Sequence, residues 1–174
     1  MKAKDLDECE ERISRDIDVL NMLISASGLK EEAGRAFASD DLDLALDNYT
    51  KALSVDPTLV TALANRAACQ LATNDFKGCI DSCTTAVEFL SRRKNEFNLK
   101  NLSTVLSPSP QVRRKWVITL LCRRAAAKRQ VGDFAGALKD FKDGRQTLGT
   151  GDSESTRALE KDIESIKQEM GAIR

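Results

Sequence analysis

The sequence predicts an all-α fold, a solenoid of helix pairs, and three observations support this prediction. Apolar and small residues recur at an offset of 34, so that Ala33 matches Ala67 and Ala45 matches Cys79. The pattern returns at a further offset of 58, where Ala137 stands in the position of Cys79. Apolar stripes at helical spacing flank the repeated part on both sides. Repeats of this length are typical of units that bury their faces on their neighbours.

The offsets fix the boundaries of the units. Because 58 is 34 plus 24, the third unit is complete and an insertion precedes it. The predicted segments are an N-terminal amphipathic helix at 1–27, a repeat domain at 28–150 with units at 29–57, 59–91 and 118–147 and an insertion at about 92–117, and a capping helix at 151–174. Asp75 before Phe76 and Asp133 before Phe134 are typical helix starts, and they predict where the second helices of two units begin.

Both flanks carry an apolar stripe with three- or four-residue spacing. The N-terminal stripe consists of Leu6, Cys9, Ile13, Ile17, Leu20 and Ile24. We expect "SASG" at residues 25–28 to end this helix and the stripe to pack on the first unit, and self-association as a coiled coil is the alternative. The C-terminal stripe consists of Leu159, Ile163, Ile166, Met170 and Ile173, and it should cover the last apolar face of the solenoid.

The insertion contains "SPSP", which predicts a turn or loop at Pro108 and Pro110. From Gln111 the helical pattern continues into the third unit, so its first helix should be about two turns longer than usual. Trp116 then lies on nearly the same face as Arg123, seven residues later. It either anchors the insertion or stacks on a ligand.

Five cysteines and no histidine limit the chemistry of the chain. Cys79 and Cys83 fill the small and the large core position of the second unit, equivalent to Ala45 and Tyr49, and we expect them to pack as buried free thiols. The cysteines offer neither a disulfide framework nor a four-ligand zinc site. Without histidine or a glycine-rich phosphate loop, we expect no enzyme, no metal and no cofactor.

The net charge of zero hides a strong asymmetry. Residues 1–60 contain 7 basic and 14 acidic side chains, a balance of −7, whereas residues 92–129 contain 11 basic ones and a single acid, a balance of +10. Such a basic segment attracts an acidic peptide or a nucleic acid. The N-terminus is charged where a secretion signal needs an apolar core, so we expect a cytoplasmic protein without a membrane span.

The first unit, "LKEEAGRAFASDDLDLALDNYTKALSVDP", resembles a tetratricopeptide repeat (TPR). Its matching positions are Leu29, Ala33, Ala45, Tyr49, Ala52 and Pro57. Some TPR co-chaperones hold the acidic C-terminal tails of Hsp70 and Hsp90 with a clamp of two lysines, two asparagines and an arginine. The resemblance puts the first lysine at Lys30, the second asparagine at Asn65 and the arginine at Arg123.

Two clamp positions depart from that pattern, because Gly34 replaces the first asparagine and Thr119 replaces the second lysine. Arg124, Lys115 or Arg114 could compensate for the missing cation. The layout of two regular repeats, an insertion and "RRAAAKRQVGDFAGALKDF" most resembles the C-terminal repeat domain of the dynein axonemal assembly factor 4 family, which implies one domain of a longer co-chaperone. The alternatives are a scaffold for another acidic protein segment and a nucleic-acid-binding solenoid.

Overall fold

The computed structural model describes residues 3–91, 109–149 and 153–172. These residues form seven helices: α1 Ala3–Ala38, α2 Leu42–Val55, α3 Val60–Ala72, α4 Phe76–Ser91, α5 Pro110–Gln130, α6 Phe134–Leu148 and α7 Ser153–Ala172. Helices α1 and α2, α3 and α4, and α5 and α6 pack as hairpins, and α7 packs on α6. The all-α solenoid of three helix pairs predicted from the sequence is confirmed.

The hairpin turns repeat the same backbone conformation. Asp40, Asn74 and Gly132 have φ values of 62°, 61° and 83°, in the left-handed region, and their spacing is again 34 and 58. The next residue in each turn is an aspartate, whose carboxylate accepts a hydrogen bond from the backbone N–H three residues later, at 3.1, 3.0 and 2.9 Å. These aspartates satisfy free N–H groups at the start of each second helix. The predicted helix starts at Phe76 and Phe134 are therefore confirmed.

The core occupies the positions that the repeat pattern predicts. The small positions Ala45, Cys79 and Ala137 are fully buried. The larger positions, Tyr49 and its equivalents in the next two units, are buried as well. One apolar cluster joins the first two units to α5, and a second joins the other side of α5 to α6 and α7.

The predicted helix break at "SASG" is wrong. Helix α1 runs without interruption through Ser25 and Gly28 and ends at Ala38. Ala26 is almost completely buried in this stretch. Glycine in a helix interior costs only about 1 kcal/mol relative to alanine, so packing of one face can hold such a stretch helical.

The expectation that the N-terminal stripe packs on the first unit is also wrong. Ile13, Ile17, Leu20 and Ile24 are all exposed. With 36 residues, α1 is about 54 Å long, whereas the 14 residues of α2 span about 21 Å. The first part of α1 therefore extends beyond the helix that it pairs with. The side chain of Leu6 lies outside the described residues.

The C-terminal stripe packs as predicted. Leu159 and Ile166 are buried, and Ile163 and Met170 lie against the second apolar cluster. Ile173 lies outside the described residues. Helix α5 has 21 residues and α3 has 13, so the predicted extension of the third unit is confirmed.

The N-terminus of α5 also follows the sequence signals. Ser109 caps it and Pro110 is its first residue. The first part of the insertion, 92–108, is outside the described residues. None of the described helices is long and apolar enough to cross a membrane.

Candidate functional site

A cavity of about 430 Å³ opens between the first helices of the three units. It is lined by residues of α1, α3 and α5, and five of the seven carry a polar or charged side chain. The lining residues are Lys30, Thr61, Ala64, Asn65, Trp116, Thr119 and Arg123. None of them is acidic, and two are cationic, so the cavity favours an anionic ligand.

Helix α5 provides one wall of the cavity. Trp116, Thr119 and Arg123 are spaced by three and four residues, which places them on one face of the helix. Trp116 is half-buried and also packs against the first apolar cluster. Its ring therefore both contacts the core and lines the cavity, whereas its role in anchoring the insertion or in stacking on a ligand stays a prediction.

Arg123 is held in place without being neutralised. Its Nη1 donates a hydrogen bond to the backbone carbonyl of Ala64 at 2.7 Å. No carboxylate of the described residues pairs with Arg123 or with Lys30 across the cavity. The two cations therefore keep their charge available to a ligand, and the contact with Ala64 restricts the guanidinium to the cavity wall.

Asn65 connects the cavity to the core beneath it. Burial raises the pKa of the Tyr49 hydroxyl, and a hydrogen bond with the Asn65 side chain partly opposes this shift. A Cβ atom added at Gly34 would lie 3.8 Å from the Tyr49 hydroxyl, an ordinary van der Waals distance. Gly34 thus borders the same hydroxyl as Asn65, although it does not line the cavity itself.

Arg124 does not compensate for the missing clamp cation. Its guanidinium binds Asp140 on α6 through two hydrogen bonds of 2.8 and 2.7 Å, and Nη1 donates to Thr84 at 3.1 Å. Lys128 contacts the same carboxylate at 2.9 Å. The hydrogen bonds to Asp140 raise the pKa of Arg124. The structure therefore corrects the sequence prediction, because Arg124 belongs to an ion cluster between α5 and α6.

Lys115 and Arg114 are exposed on α5 and lie outside the cavity lining. The other cations of α5 have partners in the fold. Arg113 donates to the carbonyl of Leu90, and Arg129 pairs with Glu169 on α7. Many of the basic side chains of α5 therefore form hydrogen bonds or ion pairs with other helices.

Thr61 and Ala64 also line the cavity, although no sequence motif singled them out. The repeat register contained the signal, because Thr61 is the equivalent of Thr119 at an offset of 58 and Ala64 is the equivalent of Lys30 at an offset of 34. Of the predicted site residues, the structure brings together Lys30, Asn65, Arg123 and Thr119.

Cys79 and Cys83 are packed as predicted. Cys69, Cys79 and Cys83 are fully buried, Cys122 is partly buried and Cys9 is exposed. The contact with Cys79 and burial together raise the pKa of the Cys83 thiol, which keeps it protonated. Within 3–91, 109–149 and 153–172, no cluster of three or more cysteine or acidic residues could hold a metal ion.

No family model matches the chain. A stretch of 65 residues is 42% identical to the Hsp70-Hsp90 organizing protein of Triticum aestivum and covers 36% of this chain and 11% of that protein. The chain spans about 11–15% of the length of the curated relatives that it matches.

Two solved structures are similar over most of the chain. The N-terminal domain of stress-induced protein-1 from C. elegans has a TM-score of 0.64 at 20% identity, covering 84% of this chain and 97% of that one. The second TPR domain of human RPAP3, solved by NMR in complex with the HSP70 peptide SGPTIEEVD, has a TM-score of 0.58 at 19% identity, covering 86% and 98%. Together with the three helix hairpins, these similarities show that this chain adopts the tetratricopeptide-repeat fold.

Proposed function

We propose that this chain is a non-catalytic adaptor whose groove binds the acidic C-terminal tail of an Hsp70- or Hsp90-type chaperone. The observation that carries the proposal is the cavity itself, which combines Lys30, Arg123 and Asn65 with no acidic lining residue. The HSP70 peptide bound by the human RPAP3 domain ends in EEVD, so a structurally similar domain binds a tail with several carboxylates.

The lining residues suit a terminal carboxylate. An arginine and a lysine form charge-assisted hydrogen bonds with carboxylate oxygens, and such bonds are about twice as strong as neutral ones. Arg123 uses one N–H for Ala64 and keeps further donors for a ligand. Asn65 on α3 adds an amide to the cavity lining, and Trp116 offers an apolar face to the side chains of the tail.

The incomplete clamp predicts weak binding. One cation and one amide of the pattern are missing at Thr119 and Gly34, and Arg124 is bound to Asp140. We therefore expect a dissociation constant of tens to hundreds of micromolar, or about −5 to −6 kcal/mol. The affinity should fall as salt is added, because the contact is partly exposed and screened.

The direct test compares two peptides that end in Glu-Glu-Val-Asp, one with a free C-terminus and one amidated, by isothermal titration calorimetry. The free acid should bind, and amidation should remove most of the affinity. Arg123→Met should lower the affinity at least tenfold. Arg114→Met removes an exposed cation of the same helix outside the cavity and serves as the matched control. If the amidated peptide binds as well as the free acid, the groove binds side chains only, and the terminal-carboxylate proposal is wrong.

A gain of affinity would be a stricter test. Gly34→Asn combined with Thr119→Lys restores the clamp residues at both positions that depart from the pattern, and a Cβ atom added at Gly34 makes only an ordinary contact with the Tyr49 hydroxyl. The double variant should bind the free-acid peptide at least tenfold more tightly. Gln111→Lys adds the same charge at an exposed position of α5 and should change the affinity less than twofold. An equal gain in the control would indicate unspecific charge attraction.

The alternatives make different predictions in the same assay. A scaffold for an internal acidic segment should bind the amidated peptide equally well. A nucleic-acid-binding solenoid should bind single-stranded oligonucleotides, and the engagement of Arg113, Arg124, Lys128 and Arg129 within the fold weakens that alternative. A role in dynein arm assembly and a cytoplasmic location stay predictions from the layout of the repeats and the N-terminal composition.

A further inference from the structure

The N-terminal part of α1 carries an apolar surface that the rest of the chain leaves uncovered. Ile13, Ile17, Leu20 and Ile24 are exposed by 52%, 51%, 48% and 70%, although they form one stripe along the helix. A soluble surface rarely leaves four large aliphatic side chains in one continuous row, and such rows mark interaction sites. We call these four residues the α1 stripe.

We propose that the α1 stripe pairs with the α1 stripe of a second copy of this chain, in an antiparallel two-helix contact. The spacing of the stripe is four, three and four residues, which is the same in both directions along the helix. A two-fold axis between Ile17 and Leu20 therefore places Ile13 opposite Ile24 and Ile17 opposite Leu20, and each pair occurs twice. Self-complementarity of this kind is what an isologous dimer contact requires.

Charge favours the antiparallel orientation. Glu10 is exposed and lies three residues before Ile13, at the edge of the stripe. A parallel pair in register would bring Glu10 against Glu10 of the second copy, an unfavourable contact between like charges. In the antiparallel pair, Glu10 lies opposite Ser27, and Ser14 lies next to Asn21. The antiparallel arrangement therefore keeps the edges of the stripe free of direct acid–acid contacts.

The length of α1 leaves room for this contact. The overhang beyond α2 is about 30 Å, so a second helix can lie along it without displacing α2. Four half-exposed side chains per copy bury less than the roughly 1,200–2,000 Å² of a stable complex, so the dimer should be weak and transient. We expect a dissociation constant on the order of 100 μM.

Sedimentation equilibrium of the full chain tests the dimer. The weight-average mass should rise from 19.1 kDa towards twice that value as the concentration increases from micromolar to about 1 mM. Ile17→Asp with Leu20→Asp should keep the chain monomeric over that range. Met22→Asp is the matched control, because Met22 is 51% exposed on the opposite face of the same helix, and it should leave the association unchanged. A wild-type chain that stays monomeric at the highest concentration, or equal loss in the Met22 variant, would overturn the proposal.

A native cysteine reports the orientation. Cys9 is exposed, Cys69, Cys79 and Cys83 are buried, and Cys122 is partly buried. In a Cys122→Ala variant, a nitroxide label should therefore react selectively at Cys9 of the folded chain. In the antiparallel pair, Cys9 lies opposite residue 28 of the second copy, so the two labels are about 28 Å apart along the helix axis. In a parallel pair they are adjacent. Pulsed electron–electron double resonance on concentrated samples measures the distance between the two labels. A distance of about 30 Å supports the proposal, and a distance of about 10 Å, the diameter of one helix, would overturn it.

Discussion

Arg123 and Arg124 are neighbours on α5 and have opposite environments. Arg124 lies between α5 and α6, where Asp140 accepts two hydrogen bonds from it and only 2% of the Asp140 side chain is exposed. Arg123 lies at the cavity wall, where its described hydrogen bond goes to the Ala64 carbonyl. The chain therefore uses one arginine to join two helices and the next to keep positive charge in the groove.

The partner of a cation, rather than its residue type, therefore decides whether the cation stabilises the fold or is available to a ligand. A buried ion cluster loses stability strongly when one member is removed, because the remaining charges stay buried without compensation. An arginine without an acidic partner contributes little to folding and can bind a ligand. Substitutions in the buried ion cluster should therefore lower stability most, and substitution of Arg123 should mainly lower binding.

Asp140→Ala should have the largest effect on stability. It leaves Arg124 and Lys128 without their shared carboxylate, and the expected loss is about 3–5 kcal/mol in the free energy of unfolding. Urea denaturation followed by circular dichroism measures it. Asp47→Ala breaks an exposed pair with Lys51 four residues away and should cost only about 0.5 kcal/mol. Similar losses in the two variants would mean that the cluster around Asp140 is not a stabilising element.

Replacing each arginine by methionine should separate stability from binding. Arg124→Met should cost about 2–3 kcal/mol of stability and leave the affinity for the acidic peptide unchanged. Arg123→Met loses one hydrogen bond to a carbonyl and should cost about 1 kcal/mol, yet it should lower the affinity at least tenfold. Denaturation and calorimetry on both variants measure the two quantities. If both variants lose affinity equally, the proposed division of roles is wrong.

Substitutions of the buried cysteines test how an uncharged core position contributes to stability. Cys83→Ser puts a hydroxyl in a fully buried position and should cost about 1–3 kcal/mol, whereas Cys79→Ala should cost less because the first unit has Ala45 in that position. In the native chain a thiol reagent should modify Cys9 first, and Cys83 only after denaturation, since the contact with Cys79 and burial raise the pKa of the Cys83 thiol. Mass spectrometry of the labelled chain measures the order. Fast native labelling of Cys83 would contradict its core position.

Gly34→Ala should have the smallest effect on stability, and this effect should be stabilising. Gly34 lies inside α1, and an added Cβ meets only the Tyr49 hydroxyl at 3.8 Å. Alanine is a better helix former than glycine, so the free energy of unfolding should rise by about 0.5–1 kcal/mol. Thermal denaturation measures the gain. A loss of stability would mean that the helix at Gly34 needs the absence of a side chain.

The repeat could be predicted from local features of the sequence. The offsets of 34 and 58 predicted the three helix pairs and the buried positions such as Ala45 and Cys83. Asp75 and Asp133, as helix-start signals, predicted the starts of α4 and α6. These features depend on local signals, namely apolar periodicity, aspartate caps and small residues at close contacts, and each is encoded within a few turns of helix. The resemblance to TPR co-chaperones pointed to Lys30, Asn65 and Arg123, and the structure places these three residues in the lining of one cavity.

Features that depend on residues distant in the chain could not be predicted from the sequence, because they require the packing of the helices. The stripe of α1 has the same pattern as that of α7, yet Ile17 is exposed and Ile166 is buried, because α1 extends beyond α2 whereas α7 lies along α6. The sequence also offers Arg124 as a cation for the groove, but in the structure it binds Asp140, 16 residues later in the chain. A periodic pattern states which face of a helix is apolar, but the lengths and positions of neighbouring helices decide whether that face, or a charge beside it, has a partner.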